Sequence, residues 1–230
     1  MATVKGRSYR SPLREQQAQQ TRDRLAAGAL ALFTEKGYQA TTVAEIARTA
    51  GVSVPTVHAV FEGKKGLARH LLRQAIQGTD VPQEERPDPD RILHARGGHA
   101  KLTEFCATSG RIGRRGAHIY QILLAASGDQ DISALLHQIA KGRLDQMTIY
   151  ANDLADSNLL RSGMSAERAR DILYWAGSPQ LYLQMVTELG WPVGEFVDWL
   201  TESLTAMLIK PRRAAAWHLL SDARAETRLP

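Results

Sequence analysis

The chain has 230 residues, 43% apolar and 23% charged, with a mean hydropathy of −0.29. That length buries one large core or two modest ones, and no run approaches the roughly 20 consecutive apolar residues of a membrane-spanning helix. Lys5, Arg7, Arg10 and Arg14 are followed by no apolar stretch, so no secretory signal is read there and the expected location is the cytoplasm. The single cysteine, Cys106, excludes an internal disulfide and a cysteine-built zinc site. Charge is unevenly placed within the net +5: residues 1–78 hold 12 Lys and Arg against 5 Asp and Glu, a balance of +7, and residues 79–230 hold 17 against 19, a balance of −2. A basic first third on a near-neutral remainder fits either a polyanion-binding module or a solvated basic surface.

In chain order, residues 1–14 mix Lys, Arg, Gly, Ser, Pro and Tyr without period and read as a flexible basic arm. From Gln16 the pattern turns helical, with Leu25, Ala29, Leu32 and Phe33 on one face and Gly37 placed to end the helix. Residues 15–78 form the first domain. Residues 79–90, with three prolines and no apolar period, read as a linker or loop. Residues 91–210 are helical again: Leu135, Leu136, Ile139, Leu144, Met147, Ala151 and Leu154 make one stripe, and Phe196, Trp199, Leu200, Ser203, Leu204 and Met207 another. Pro179 should kink or interrupt its helix. Residues 211–230 form an Arg- and Ala-rich tail in which Trp217 to Leu220 could make a helical turn. No stretch alternates for long at period two, so the expected fold is all-α.

Residues 41–61 spell two short helices and a tight turn. Thr42 followed by Glu45 is a capping box. Val43, Ile46, Ala47 and Ala50 give a narrow inner face, with alanines where helices cross closely. Gly51 takes the positive-φ turn. Val52 fills the angle between the helices, Ser53 caps the second, and Pro55 sits in its first turn, where a missing N–H costs little. The product is a helix-turn-helix, which lays its second helix in the DNA major groove; the alternative is an αα-corner buried in a helical protein. The candidate DNA-contacting set is Thr41, Thr42, Ser53, Val54, Pro55, Thr56, His58, Ala59 and Lys64. Thr56 can hydrogen-bond a base edge, Pro55 or Ala59 can touch a thymine methyl, and Thr42 and Lys64 are placed to hold phosphates.

Residues 20–73 resemble the DNA-binding domain of the TetR/AcrR transcriptional regulators. The resemblance rests on Leu32-Phe33 through Gly37-Tyr38, on Thr41-Thr42-Val43-Ala44-Glu45-Ile46-Ala47, on Ala50-Gly51-Val52-Ser53, on Phe61, and on Lys64 to Leu67. It implies an N-terminal three-helix helix-turn-helix domain followed by a helical ligand-binding and dimerisation domain. One departure stands out: where the family has a Tyr that touches phosphate, this chain has His58, Ala59, Val60 and Phe61. Gly163 to Trp175, Ser178 to Tyr182, Gly190 to Pro192 and Trp199-Leu200 are similar to the last two long helices of such regulators, which pair across a twofold axis. The resemblance thus implies a homodimer on an operator in double-stranded DNA, with a small-molecule effector that releases it.

Phe105, Cys106, His118, Ile122, Met147, Tyr150, Trp175, Tyr182 and Met185 are the candidates to line an effector pocket, with Tyr120 as a further aromatic. Each could equally be core, because helical stripes and pockets are both mostly apolar. Ser109 to Gly116 resembles a phosphate loop only superficially and is read as an interhelix loop whose arginines could favour an anion. Asp153 and Asp156 read as solvated charges. The sequence holds no His-Glu-x-x-His, nucleophile elbow or Walker loop, so neither an enzyme nor a cofactor or metal site is expected. Two readings stay beside the ligand-responsive repressor: a DNA-binding dimer with a ligand-free scaffold, and an all-α enzyme.

Overall fold

The computed structural model describes residues 12–83 and 86–211. The basic arm up to residue 11 and the tail beyond Pro211, with Trp217 to Leu220, lie outside the described residues. The first helix, α1 (Pro12–Ala40), begins earlier than its apolar period, so residues 12–14 are helix rather than arm. It buries Leu25, Ala26, Ala29 and Phe33. Gly37, at φ 83°, leaves helical geometry as expected. Then come α2 (Val43–Ala50), α3 (Val54–Phe61) and α4 (Lys64–Gln77). Glycines with left-handed backbone close α2 and α4: Gly51 at φ 67° and Gly78 at φ 63°.

A short helix, α5 (Pro89–His94), takes two residues from the expected linker because Asp88 accepts a hydrogen bond from the Asp90 N–H and Pro89 fits a first turn. Two long antiparallel helices follow, α6 (Gly98–Ala125) and α7 (Gln130–Asp156). The expected loop at Ser109 to Gly116 is not a loop. It is the middle of α6, helical although each interior glycine costs about 1 kcal/mol relative to alanine. Tertiary packing offsets that cost. A Cβ on Gly110 would stand 2.6 Å from Val197, and one on Gly113 would stand 2.3 Å from the Tyr182 ring, so these glycines are the seats for neighbouring side chains.

The C-terminal part is broken where two long helices were implied. It runs through α8 (Ala166–Ala176), α9 (Pro179–Tyr182), a π-helical turn at Leu183–Glu188 and α10 (Val193–Leu208). Pro179 interrupts the helix as anticipated: it lacks an N–H, and Ser178 caps the new start by accepting from Leu181 N at 3.1 Å. Within the α7 stripe, Leu144 is exposed and the other apolar residues are at least half buried.

Burial falls into two apolar clusters. One joins α1 to α4 with the C-terminal end of α6 and the start of α7, through Phe33, Ile46, Leu67, Leu123 and Ile132. The other lies among α5 to α10 around Phe105, Leu154, Leu173, Phe196 and Leu204. The helix-turn-helix therefore stands on a core that it shares with α6 and α7.

Candidate functional site

The turn between α2 and α3 is built as the spacing demands. Thr42 Oγ1 accepts from Glu45 N at 3.2 Å while Glu45 Oε2 accepts from Thr42 N at 2.9 Å. Lys36 also pairs with Glu45. These hydrogen bonds, those with Lys36 first, hold the Glu45 carboxyl down to about 2. At α3, Ser53 Oγ accepts from Thr56 N at 3.3 Å, and the two hydroxyls bond at 2.8 Å. Val57 and Phe61 anchor α3 in the core, while Ser53, Val54, Pro55, His58 and Ala59 are exposed on its other side and Thr56 is half buried. The structure thus gathers six of the candidate contacts, Ser53 to Ala59, on one outward face, with Thr42 exposed at the neighbouring helix start.

Two members of the candidate set point inward. Thr41 is 1% exposed, and its hydroxyl donates to Gly37 O at 2.8 Å, so it ties the end of α1 to the start of α2. Lys64 donates to Tyr38 O and Thr41 O, each at 2.9 Å, and its ammonium lies over the Tyr38 ring, 4.2 Å from the centroid. Burial lowers its pKa. The ammonium closes orphan carbonyls at the end of α1 and the start of α2, a structural role beside the phosphate contact expected for it.

Beside these stands a residue the sequence did not single out. A Cβ on Gly66 would lie 1.4 Å from Phe61 O, so only glycine lets α4 start against the end of α3. The reading unit is tied to the long helices by a hydrogen bond of 3.2 Å between Thr34 Oγ1 and His118 Nε2, by Lys65 with Asp131, and by Arg115 Nε donating to Ala75 O at 3.0 Å.

The proposed pocket residues scatter. Phe105, Cys106, Met147, Tyr150 and Tyr182 are buried together in the second cluster with Met185 against it. His118 is exposed and serves the Thr34 tie; Ile122 packs on the first cluster; Trp175 is 49% exposed on α8. Burial pushes the Cys106 thiol and the Tyr150 phenol up to about 12 each. A cavity of about 10 Å³, room for one water, lies between Ile92, Lys101, Phe105, Tyr150 and Leu173. Beside it, Lys101, 7% exposed, pairs with Asp153 at 2.8 Å and donates to Leu93 O. Asp153 is therefore a paired wall of that cavity rather than a solvated charge, and Asp156 is exposed.

Residues 25–71, which hold this turn, match the profile of the bacterial regulatory proteins of the tetR family. The helix-turn-helix region of the chain is of the TetR type. YttP of Bacillus subtilis, described as an HTH-type transcriptional regulator, is 40% identical over 58 residues, which are 25% of this chain and 28% of YttP. YvkB of the same organism, also described as an HTH-type regulator, is 44% identical over 76 residues, 32% of this chain and 40% of YvkB. The matched stretch thus spans less than half the length of these curated relatives. The crystal structure of NalD from Pseudomonas aeruginosa, the secondary repressor of a multidrug efflux pump, superposes with a TM-score of 0.63 at 18% identity, over 84% of this chain and 98% of NalD. At that identity the likeness is one of fold, and it covers the helices beyond the helix-turn-helix as well.

The N-terminal signals were legible because they are made of residues three or four apart. Lys101 carried no such signal, since its partners Leu93 and Asp153 lie 8 and 52 residues away. Among the described residues, no helix is long and apolar enough to cross a membrane.

Proposed function

We propose that this protein is a dimeric DNA-binding transcriptional repressor whose C-terminal half responds to a small molecule. One observation carries the reading: α3 locks Val57 and Phe61 into the core and turns Val54, Pro55, His58 and Ala59 outward, at the basic end of the chain. Such a face fits the major groove, and two copies about 34–36 Å apart read a near-palindromic site. The repressor role follows NalD and the family pattern. Dimerisation uses the face of α8 and the segments after it, where Trp175 is 49% and Leu189 63% exposed. The test is a mobility shift with DNA upstream of the chain's own coding region. Retardation at low salt that survives competitor DNA supports the reading; no retardation of any upstream fragment rejects it.

The packed second cluster favours one other reading, a dimerisation scaffold without a ligand. A cavity of about 10 Å³ is far below the roughly 300–1,000 Å³ of small-molecule sites, so an effector has to open the helices. Thermal-shift screening separates the two, because a ligand at 100 times its Kd adds about 2.7 kcal/mol.

A further inference from the structure

We propose that the effector is an organic acid with an apolar body, and that its carboxylate takes the place of Asp153 on Lys101. The inference rests on the ligand-responsive reading above and names the chemistry of its ligand.

Lys101 and Asp153 form a pair of unequal depth. The Lys101 side chain is 8% exposed and the Asp153 side chain 27%. The ammonium also donates to Leu93 O at the end of α5. Withdrawing Lys101 to solvent means dragging a charge out through the packed wall; a small rotation of Asp153 returns its carboxylate to water. The replaceable member of the pair is therefore the anion. A buried ammonium without a counter-charge is strongly unfavourable, so whatever displaces Asp153 must bring a negative charge with it. A cationic ligand would have to evict the deeper partner.

The walls around the ammonium set the rest of the molecule. Ile92, Leu102, Phe105, Leu154 and Leu173 face the cavity, and Tyr150 meets Phe105 edge-on at 6.1 Å. They suit an aliphatic or aromatic body and offer little to a sugar or a polyphosphate. Asp88 and Asp90 are exposed, and Glu104 lies 3.5 Å from Arg91, so the nearby carboxylates are solvated or paired. One wall is short. α5 has six residues, lies between Pro87 and Gly97 (φ 87°), and contributes Ile92 to the cavity and Leu93 O to the ammonium. A carboxylate on Lys101 thus acts on the wall that has least structure to hold it.

The probe is sodium octanoate, with octanol and octylammonium chloride as matched neutral and cationic controls, titrated into the full chain without DNA while the thermal midpoint is followed. Octanoate should raise the midpoint of the wild type and the two controls should not. Asp153→Asn, which removes the resident anion, should be less stable alone and should bind octanoate at least tenfold more tightly than the wild type. Lys101→Met should lose the response, while Arg168→Met, at an exposed position, should keep it. The opposite signs at Asp153 and Lys101 separate this from mere structural damage, and the Asp153→Asn arm decides even if Lys101→Met does not fold. Equal octanoate affinity in wild type and Asp153→Asn, an equal response to octanol, or no response to octanoate in either protein overturns the proposal. DNA retardation is scored separately. Operator binding without a carboxylate effect defeats this inference alone, and carboxylate binding without operator binding defeats the regulatory reading alone.

Discussion

The reading unit and the half that follows it satisfy their polar groups over different distances. Around α2 and α3 the bonds are local: Thr42 with Glu45, Ser53 with Thr56 and Thr41 with Gly37 each span three or four residues. The larger half has such caps too, at Asp129, Ser165 and Ser178, and adds remote bonds. Lys101 reaches Asp153, Gln180 donates to Tyr120 at 3.0 Å, and His99 bonds Thr205 at 3.2 Å across 106 positions. Local bonds fix a helix boundary whatever surrounds it, whereas remote ones exist only once the fold has formed. The first region is consequently assembled from caps and turns, and the second from close approach of long helices.

Gly66→Ala should break this comparison most severely, because α3 and α4 meet backbone to backbone. With a Cβ 1.4 Å from Phe61 O, we expect a loss of about 4 kcal/mol or more, with the DNA-binding domain unfolded by circular dichroism and retardation abolished. A variant that keeps its thermal midpoint would show that the α3–α4 junction can move.

Lys64→Met comes next, because it removes a polar tie that spans more than 20 positions inside the locally built region. Leaving Tyr38 O and Thr41 O without their donor should cost about 1–3 kcal/mol. The salt dependence of DNA binding should keep its slope. A slope flatter by about one ion, with no loss of stability, would restore Lys64 as a phosphate contact.

Thr56→Ala should leave stability nearly unchanged and reduce discrimination between operator and random DNA by about 1 kcal/mol, measured by competition retardation. Equal loss on both DNAs would remove Thr56 from base reading and leave it as the partner of Ser53.

The smallest effect is at Glu45. Its carboxyl sits at about 2 in the folded chain against an ordinary value of 4.5. A lowered carboxylate stabilises fully above its unfolded pKa and ceases to do so as pH falls through the folded one. Glu45→Gln should therefore lower the urea midpoint at pH 7, and the gap to wild type should close between about pH 4.5 and pH 2. A gap constant across that range would mean that the capping box does not depend on ionisation.

The same contrast explains what could be read from residues alone. The capping box, the Gly51 turn, Ser53 with Pro55 and the outward face of α3 all follow from spacings of a few residues, and the structure places each as expected. The structural bonds of Lys64 were not legible because its acceptors lie 23 and 26 positions back. Ser109 to Gly116 looked like a loop because glycine weakens a helix on its own; what keeps it helical is the seat it offers to Tyr182 and Val197, residues far along the chain. Asp153 and Asp156 look alike in sequence, and only the position of Lys101 tells them apart. His118, expected on a pocket wall, stands further along α6, against Thr34.

That position of His118 gives α6 a further meaning. One uninterrupted helix carries both Lys101, deep in the second cluster, and His118, hydrogen-bonded to α1. The 17 steps between them make a rod about 26 Å long. A rotation of about 5° at the Lys101 end displaces the His118 end by about 2 Å, the size of shift by which helices switch at interfaces. Glycines at 110, 113 and 116 seat Val197, Tyr182 and Ala75 at the middle of the rod, so any tilt would turn about that packed point. The helix expected to break at residues 109–116 is one rod with side chains in both apolar clusters.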